Sequence, residues 1–197
     1  MNYSELPKGY KRILKIELGK DKLGAVFVSS LSVFLMLLMI LIGIFLCGSE
    51  YMRQYIFVDT PAEYYKTAQR LFYALVGLFI YSIIRELMRT ALFKLMCKES
   101  KVKLRRKSVY FFIASSGYYS KKSYLIISFL PMLIMGSALL YLCFFIAEEY
   151  FISVYFIIVL NVSSISGDLY LWYFISRFDK NLLIKDTGEF VSFYSKI

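Results

Sequence analysis

Four long apolar stretches, residues 25–47, 71–96, 124–147 and 151–175, decide what this chain can be. Each meets the length of about 20 residues that a helix needs to cross a hydrocarbon layer about 30 Å thick. A water-soluble domain has no use for so many continuous apolar runs. The segments between them are too short for a separate globular domain. The first run is too long for the apolar part of a cleaved signal peptide, and a lead-in of mixed polarity precedes it. The expected fold is therefore an all-α integral membrane protein, a single membrane domain over 1–197 with four transmembrane helices. A lead-in, 1–24, a loop, 97–123, and a tail, 176–197, complete it.

Charge orients the spans. The chain carries a net +10. Lys8, Lys11, Arg12, Lys15, Lys20 and Lys22 precede the first span, and Lys98, Lys101, Lys103, Arg105, Arg106, Lys107, Lys121 and Lys122 separate the second from the third. The third connection carries Glu148 and Glu149 and no base, while the tail holds Arg177, Lys180, Lys185 and Lys196. Cytoplasmic segments collect lysine and arginine, so both termini and the second loop are expected in the cytoplasm. Because the bases track the spans, they read as a topology signal rather than as a nucleic-acid surface. The expected partner is the lipid bilayer.

Local signals are weaker. Residues 11–22 suit an interfacial segment, a strand or a linker. In the outer loop Tyr51, Tyr55, Tyr64 and Tyr65 read as headgroup anchors, and Thr60, Pro61 and Glu63 read as N-cap, first turn and capping partner of a helix that starts before the lipid. In the loop 97–123, Val102 and Leu104 alternate with bases, a β-branched and aromatic run follows, and Ser115-Ser116-Gly117 offers turn chemistry. That pattern predicts either a short β-hairpin or a basic lipid-facing loop without a sheet. Pro131 and Gly136 predict a kink in the third span.

Arg85-Glu86-Leu87-Met88-Arg89 interrupts the second span, and Asp168 lies in the fourth. Each such charge costs about 2.5–3.5 kcal/mol on insertion scales and is functional more often than not. At 1.5 Å per residue, Arg85 and Arg89 lie about 21 and 27 Å below the outer end of their span, and Asp168 about 25 Å below that of its own. The three are level. Arg85 and Arg89 share a helix face, and Glu86 can reach Arg89 across three residues. Asn161 shares the face of Asp168, with Ser164 as a further polar group nearby. Two arginines against Glu86 and Asp168 sum to zero, the form in which buried charges are tolerated. Snorkelling of the arginines towards headgroups, with Lys94 and Lys98, is the competing reading, and it leaves Asp168 unexplained.

These residues resemble the putative zincin peptidases of bacterial membranes. The resemblance runs over nearly the whole chain: Leu6-Pro7-Lys8-Gly9-Tyr10, the charged second span, Pro131, Ser166-Gly167-Asp168-Leu169 and Asp186-Thr187-Gly188. It implies His-Glu-x-x-His in the second span, followed by a phenylalanine-lysine-leucine stretch. Two imidazoles at i and i+4 bind zinc, the glutamate activates a water, and a carboxylate from elsewhere completes the site. Carried over, Glu86 is the vestigial general base and Asp168 the third ligand, while Arg85 and Arg89 stand at the two imidazole positions, ahead of Phe93-Lys94-Leu95.

A guanidinium has no lone pair for a metal, and the chain contains no histidine. Cys97 is about 12 Å further along the helix axis than Arg89 and makes a poor substitute ligand. The expectation is a pseudo-metallopeptidase of the bacterial inner membrane with no catalytic residue, no metal and no zinc cofactor. Arg85, Arg89 and Asp168 would occupy the former metal site, supported by Asn161 and Ser164, and the former substrate groove would bind a membrane protein or peptide. The alternatives are a small transporter or lipid-binding protein with a charged intramembrane site, and an active intramembrane metalloprotease with unusual ligands.

Overall fold

The computed structural model describes residues 2–17, 20–48, 61–107, 110–178 and 181–196. The chain runs β1 (Tyr10–Ile16), α1 (Lys22–Cys47), α2 (Pro61–Met96), β2 (Val102–Lys107), β3 (Tyr110–Ser115), β4 (Tyr119–Ser120), α3 (Lys121–Cys143), α4 (Glu148–Ser163), α5 (Ile165–Arg177), β5 (Leu183–Asp186) and β6 (Val191–Lys196). Four helical stretches, Lys22–Leu46, Glu63–Met96, Lys121–Cys143 and Glu148–Arg177, are long and apolar enough to cross a membrane.

α2 begins at Pro61, the expected first helical position, where the missing N–H of proline costs nothing; the expected Thr60 cap and the tyrosines at 51 and 55 fall outside the described residues. Other span ends differ from those expected. α3 stops at Cys143 instead of 147, and a turn follows in which the N–H groups of Phe144 and Phe145 donate to the carbonyls of Tyr141 and Leu142. The fourth span is two helices, α4 and α5, meeting at Ser164. Ser163 Oγ donates to the Leu160 carbonyl at 3.1 Å and Ser164 Oγ to the Asn161 carbonyl at 2.7 Å. Such back-bonding hydroxyls compete with the helical ladder and bend it.

The all-α expectation needs a larger correction. β2 and β3 form the hairpin, in register from Val102↔Ser115 to Lys107↔Tyr110. In addition, the lead-in, the tail and the end of the loop 97–123 build a four-stranded antiparallel sheet in the order β1-β6-β5-β4. Lead-in strand β1 pairs with β6 at the other end of the chain, Tyr10 opposite Lys196. No local pattern announces such a pairing.

The described chain divides into two compact units. The first comprises Met1–Val28, Ile84–Met132 and Gly167–Ile197 and carries both sheets. Its core buries Phe93, Ile127, Ile175, Ile184 and Phe193 completely around Tyr119, each such side chain contributing about 1.5–3 kcal/mol. The Tyr119 hydroxyl lies 2.6 Å from Ser115 Oγ, 3.1 Å from Ser100 Oγ and 3.2 Å from the Phe93 carbonyl oxygen. Burial pushes its pKa up. The N-terminal residues close this unit: Tyr3 and Tyr118 exchange two backbone hydrogen bonds, and Asn2 Nδ2 donates to the Met96 carbonyl at 2.8 Å. That last bond satisfies an orphan carbonyl at the end of α2. At the start of α1, Asp21 Oδ1 accepts from the Gly24 N–H at 3.0 Å and Oδ2 from the Tyr170 hydroxyl at 2.9 Å, a cap that holds the carboxyl below its usual pKa.

The second unit, Ser29–Ile83 and Leu133–Ser166, is purely helical. α4 is its hub. Tyr155 donates to the Met39 carbonyl at 2.6 Å, Ser153 to the Arg70 carbonyl at 3.2 Å, and Asn161 Oδ1 accepts from Tyr81. A Cβ on Gly77 would meet Ile157 Cδ1 at 2.8 Å, and one on Gly136 would meet Asn161 Nδ2 at 2.9 Å. Small residues let helix backbones approach where lipid supplies no hydrophobic drive. Val33, Phe34, Leu37 and Leu41 of α1 point outwards, as lipid-facing side chains do.

Candidate functional site

Asp168 lies in the first turn of α5, four residues after Ser164. Arg85, on α2, brings Nη2 to 3.8 Å from Asp168 Oδ2, an ion pair too long for a hydrogen bond. One turn on, Arg89 Nη2 donates to Asp186 Oδ2 at 2.7 Å. The Tyr124 hydroxyl, on α3, donates to the same oxygen at 3.1 Å.

Asp186 is held by its own turn. It closes β5, and the Gly188 N–H donates to its Oδ1 at 2.8 Å. Gly188 has φ +78°, a conformation that only glycine adopts cheaply. Thr187 Oγ1 accepts from the Phe190 N–H and donates to the Phe190 carbonyl, which completes the β5–β6 connection. Asp186 is 3% exposed, against 28% for the Arg89 side chain and 25% for that of Arg85. The Arg89 guanidinium also lies 5.7 Å from the centre of the Phe93 ring, within cation–π range. Ser128 is buried within electrostatic reach of Asp168. Its Oγ, like Arg89 Nε, has no hydrogen bond among the described residues.

By sequence, Asp168 stands opposite both arginines and Glu86 is the second negative charge. The structure divides the work. Asp168 pairs with Arg85, although its field reaches Arg89 too, and Asp186 pairs with Arg89. Glu86 makes no ion pair among the described residues; its carbonyl accepts from Thr90 Oγ1 at 2.9 Å. Charge neutrality therefore comes from Asp168 and Asp186. Asn161 and Ser164 belong to the second unit and are engaged there, with Tyr81 and with the Asn161 carbonyl.

Two partners were missed. Asp186 was legible only as part of Asp186-Thr187-Gly188, one of the segments that carry the family resemblance, with nothing local to show what its carboxylate faces. Tyr124 is the first residue of the third apolar stretch, and nothing in the sequence singles it out.

The donor set does not fit zinc. Both imidazole positions hold guanidinium groups, which have neither a lone pair nor a usable proton equilibrium, and both aspartates are engaged by them. Among the described residues no three His, Cys, Asp or Glu side chains gather where a metal ion could be held. The arrangement can bridge elements and hold a polar group at depth.

Four helical stretches long and apolar enough to cross a membrane, with the ion pairs Arg85–Asp168 and Arg89–Asp186 in the first unit, define the class: a helical protein of membrane-spanning type with a charged cluster. Residues 78–183, more than half of the chain, match the family described as putative zincin peptidase, and the chain belongs to that family. The match contains Arg85, Arg89, Tyr124, Ser128 and Asp168 and ends just before Asp186. No curated protein and no solved structure matches the chain.

Proposed function

We propose that this chain is a non-catalytic member of its family, a pseudo-metallopeptidase that keeps the membrane fold without zinc. It binds a membrane helix or an extended peptide in the groove that catalytic relatives give to substrate. The observation that carries this reading is the pairing of Arg85 with Asp168 and of Arg89 with Asp186. In a zincin the two positions on α2 hold neutral imidazoles around a dication. Here two monocations put positive charge opposite the same carboxylate and a second aspartate balances it. In this reading both termini and the β2–β3 hairpin face the cytoplasm of a bacterial cell.

Two measurements test it. Elemental analysis of the purified protein is expected to find zinc well below one per chain; a stoichiometric signal that Asp168→Asn abolishes overturns the proposal in favour of an active metalloprotease. Photo-crosslinking in cells from positions within Lys101–Tyr119 is expected to trap a discrete protein adduct. A transporter or lipid-binding protein gives no such adduct, and Arg85→Ala then abolishes flux while leaving stability close to wild type.

A further inference from the structure

The sheet end of the first unit carries exposed charge that the fold does not use. Lys8, Lys11, Arg12 and Lys22 are exposed, and none makes an ion pair among the described residues. Lys15 and Lys20, by contrast, are taken up by Glu17. The strand's inward residues, Leu14 and Ile16, belong to the core, so the bases have no packing role. Close to them in sequence, Leu6, Ile13 and Leu23 are also exposed. Exposed bases beside exposed apolar side chains are the combination that settles into a headgroup layer.

Connectivity keeps this surface at the membrane. β1 ends at Ile16 and α1 begins at Lys22; β4 runs straight into α3 at Lys121; β5 starts at Leu183 after α5 ends at Arg177. Three strands are thus tied to three span-capable stretches. The link before α1 could extend no further than about 20 Å. It is folded back by bonds from the N–H groups of Lys20 and Asp21 to the Glu17 carbonyl, both 2.9 Å. The charges therefore sit close to the headgroups, where screening over about 8 Å leaves attraction largely intact. The second unit differs: its described bases are Lys66 and Arg70, against Glu63, Glu148 and Glu149.

A peptide strand is a poor occupant of this edge. β1 is the outer strand of its sheet, and its register breaks between Arg12 and Leu14. A bulge with lysines beside it is how an edge resists strand addition.

We propose that this surface binds anionic phospholipid headgroups of the bilayer that the helices cross, with Lys8, Lys11, Arg12 and Lys22 as the contacts. The test uses the full chain in detergent, with phosphatidylglycerol or phosphatidylcholine added and retained lipid counted by native mass spectrometry. Phosphatidylglycerol is expected to be retained preferentially. Each base removed lowers that preference about fivefold, so Lys8→Gln/Lys11→Gln/Arg12→Gln lowers it about a hundredfold. Lys66→Gln leaves it unchanged, and millimolar inorganic phosphate does not displace the lipid. Equal retention of both lipids, survival of the preference in the triple variant, or full displacement by phosphate overturns the proposal. Should the triple variant fail to purify, Lys11→Gln and Lys22→Gln are read singly, and a change below twofold in both has the same meaning.

Discussion

Replacing Asp186 by alanine removes a carboxylate that is 3% exposed and accepts three hydrogen bonds: Arg89 at 2.7 Å, Gly188 N–H at 2.8 Å and Tyr124 at 3.1 Å. Removing one partner of a buried ion pair costs about 3–5 kcal/mol, because the remaining charge stays behind without compensation. The Arg89 side chain is 28% exposed, so water can take up part of that orphaned charge. We therefore expect a loss of about 2–4 kcal/mol. Asp168→Ala should cost less, about 1–2 kcal/mol, since its contact with Arg85, at 3.8 Å, is longer than a hydrogen bond and the Arg85 side chain reaches solvent as easily. Equilibrium unfolding in mixed detergent micelles measures both. Arg89→Met closes a double-mutant cycle with Asp186→Ala, and the two losses should fall short of additivity by at least about 1 kcal/mol. An Asp186→Ala protein within about 0.5 kcal/mol of wild type, or losses that simply add, would refute the reasoning that Asp186 is the counter-ion of Arg89.

Four further outcomes follow from the same geometry. Arg85→His together with Arg89→His restores two imidazoles at i and i+4; zinc uptake of up to one per chain, lost on Asp168→Asn, is expected by elemental analysis, and no uptake means that Asp168 is misplaced as a third ligand. Tyr119→Phe strips a buried hydroxyl from Ser115, Ser100 and the Phe93 carbonyl and should cost about 1–3 kcal/mol in the same unfolding assay. Tyr81→Phe deletes the bond to Asn161 in the second unit and should cost about 0.6–1.7 kcal/mol, the range found between membrane helices. Glu17 is lowered to about 2 by hydrogen bonds from Lys15 and Lys20. Its contribution to stability is present above the ordinary carboxylate range and fades as pH falls through about 2. Carboxyl-carbon NMR of a Glu17 label should show that midpoint, and a titration near 4.5 contradicts the pairing.

Glu86 shows how far motif logic carries. Its spacing to Arg89 allowed an ion pair, and its place in the degenerate motif marked it as the vestigial base, yet the counter-ion of Arg89 comes from Asp186, in a tail segment whose resemblance to the family said nothing of its partner. The lead-in shows the same limit. Leu14 and Ile16 could belong to an interfacial helix, a strand or a linker by local pattern, and β6 decides among them through Ile16↔Val191 and its neighbours. Span two, by contrast, was plain in the sequence with its charges in place, because a run of apolar residues must meet lipid whatever else it touches.

The amino-acid order alone determined four span-length apolar stretches, a loop after the second that could be a hairpin or carry no sheet, and a charged segment that cannot coordinate zinc by ordinary means. Those follow from hydrophobicity, turn chemistry and the lone pairs of individual side chains, all of which are local. Which aspartate answers which arginine, and that the two ends of the chain share one sheet, were decided only by the tertiary structure. Such pairings join residues far apart in sequence, and their energy exists only once the packed core has brought the partners within a few ångströms.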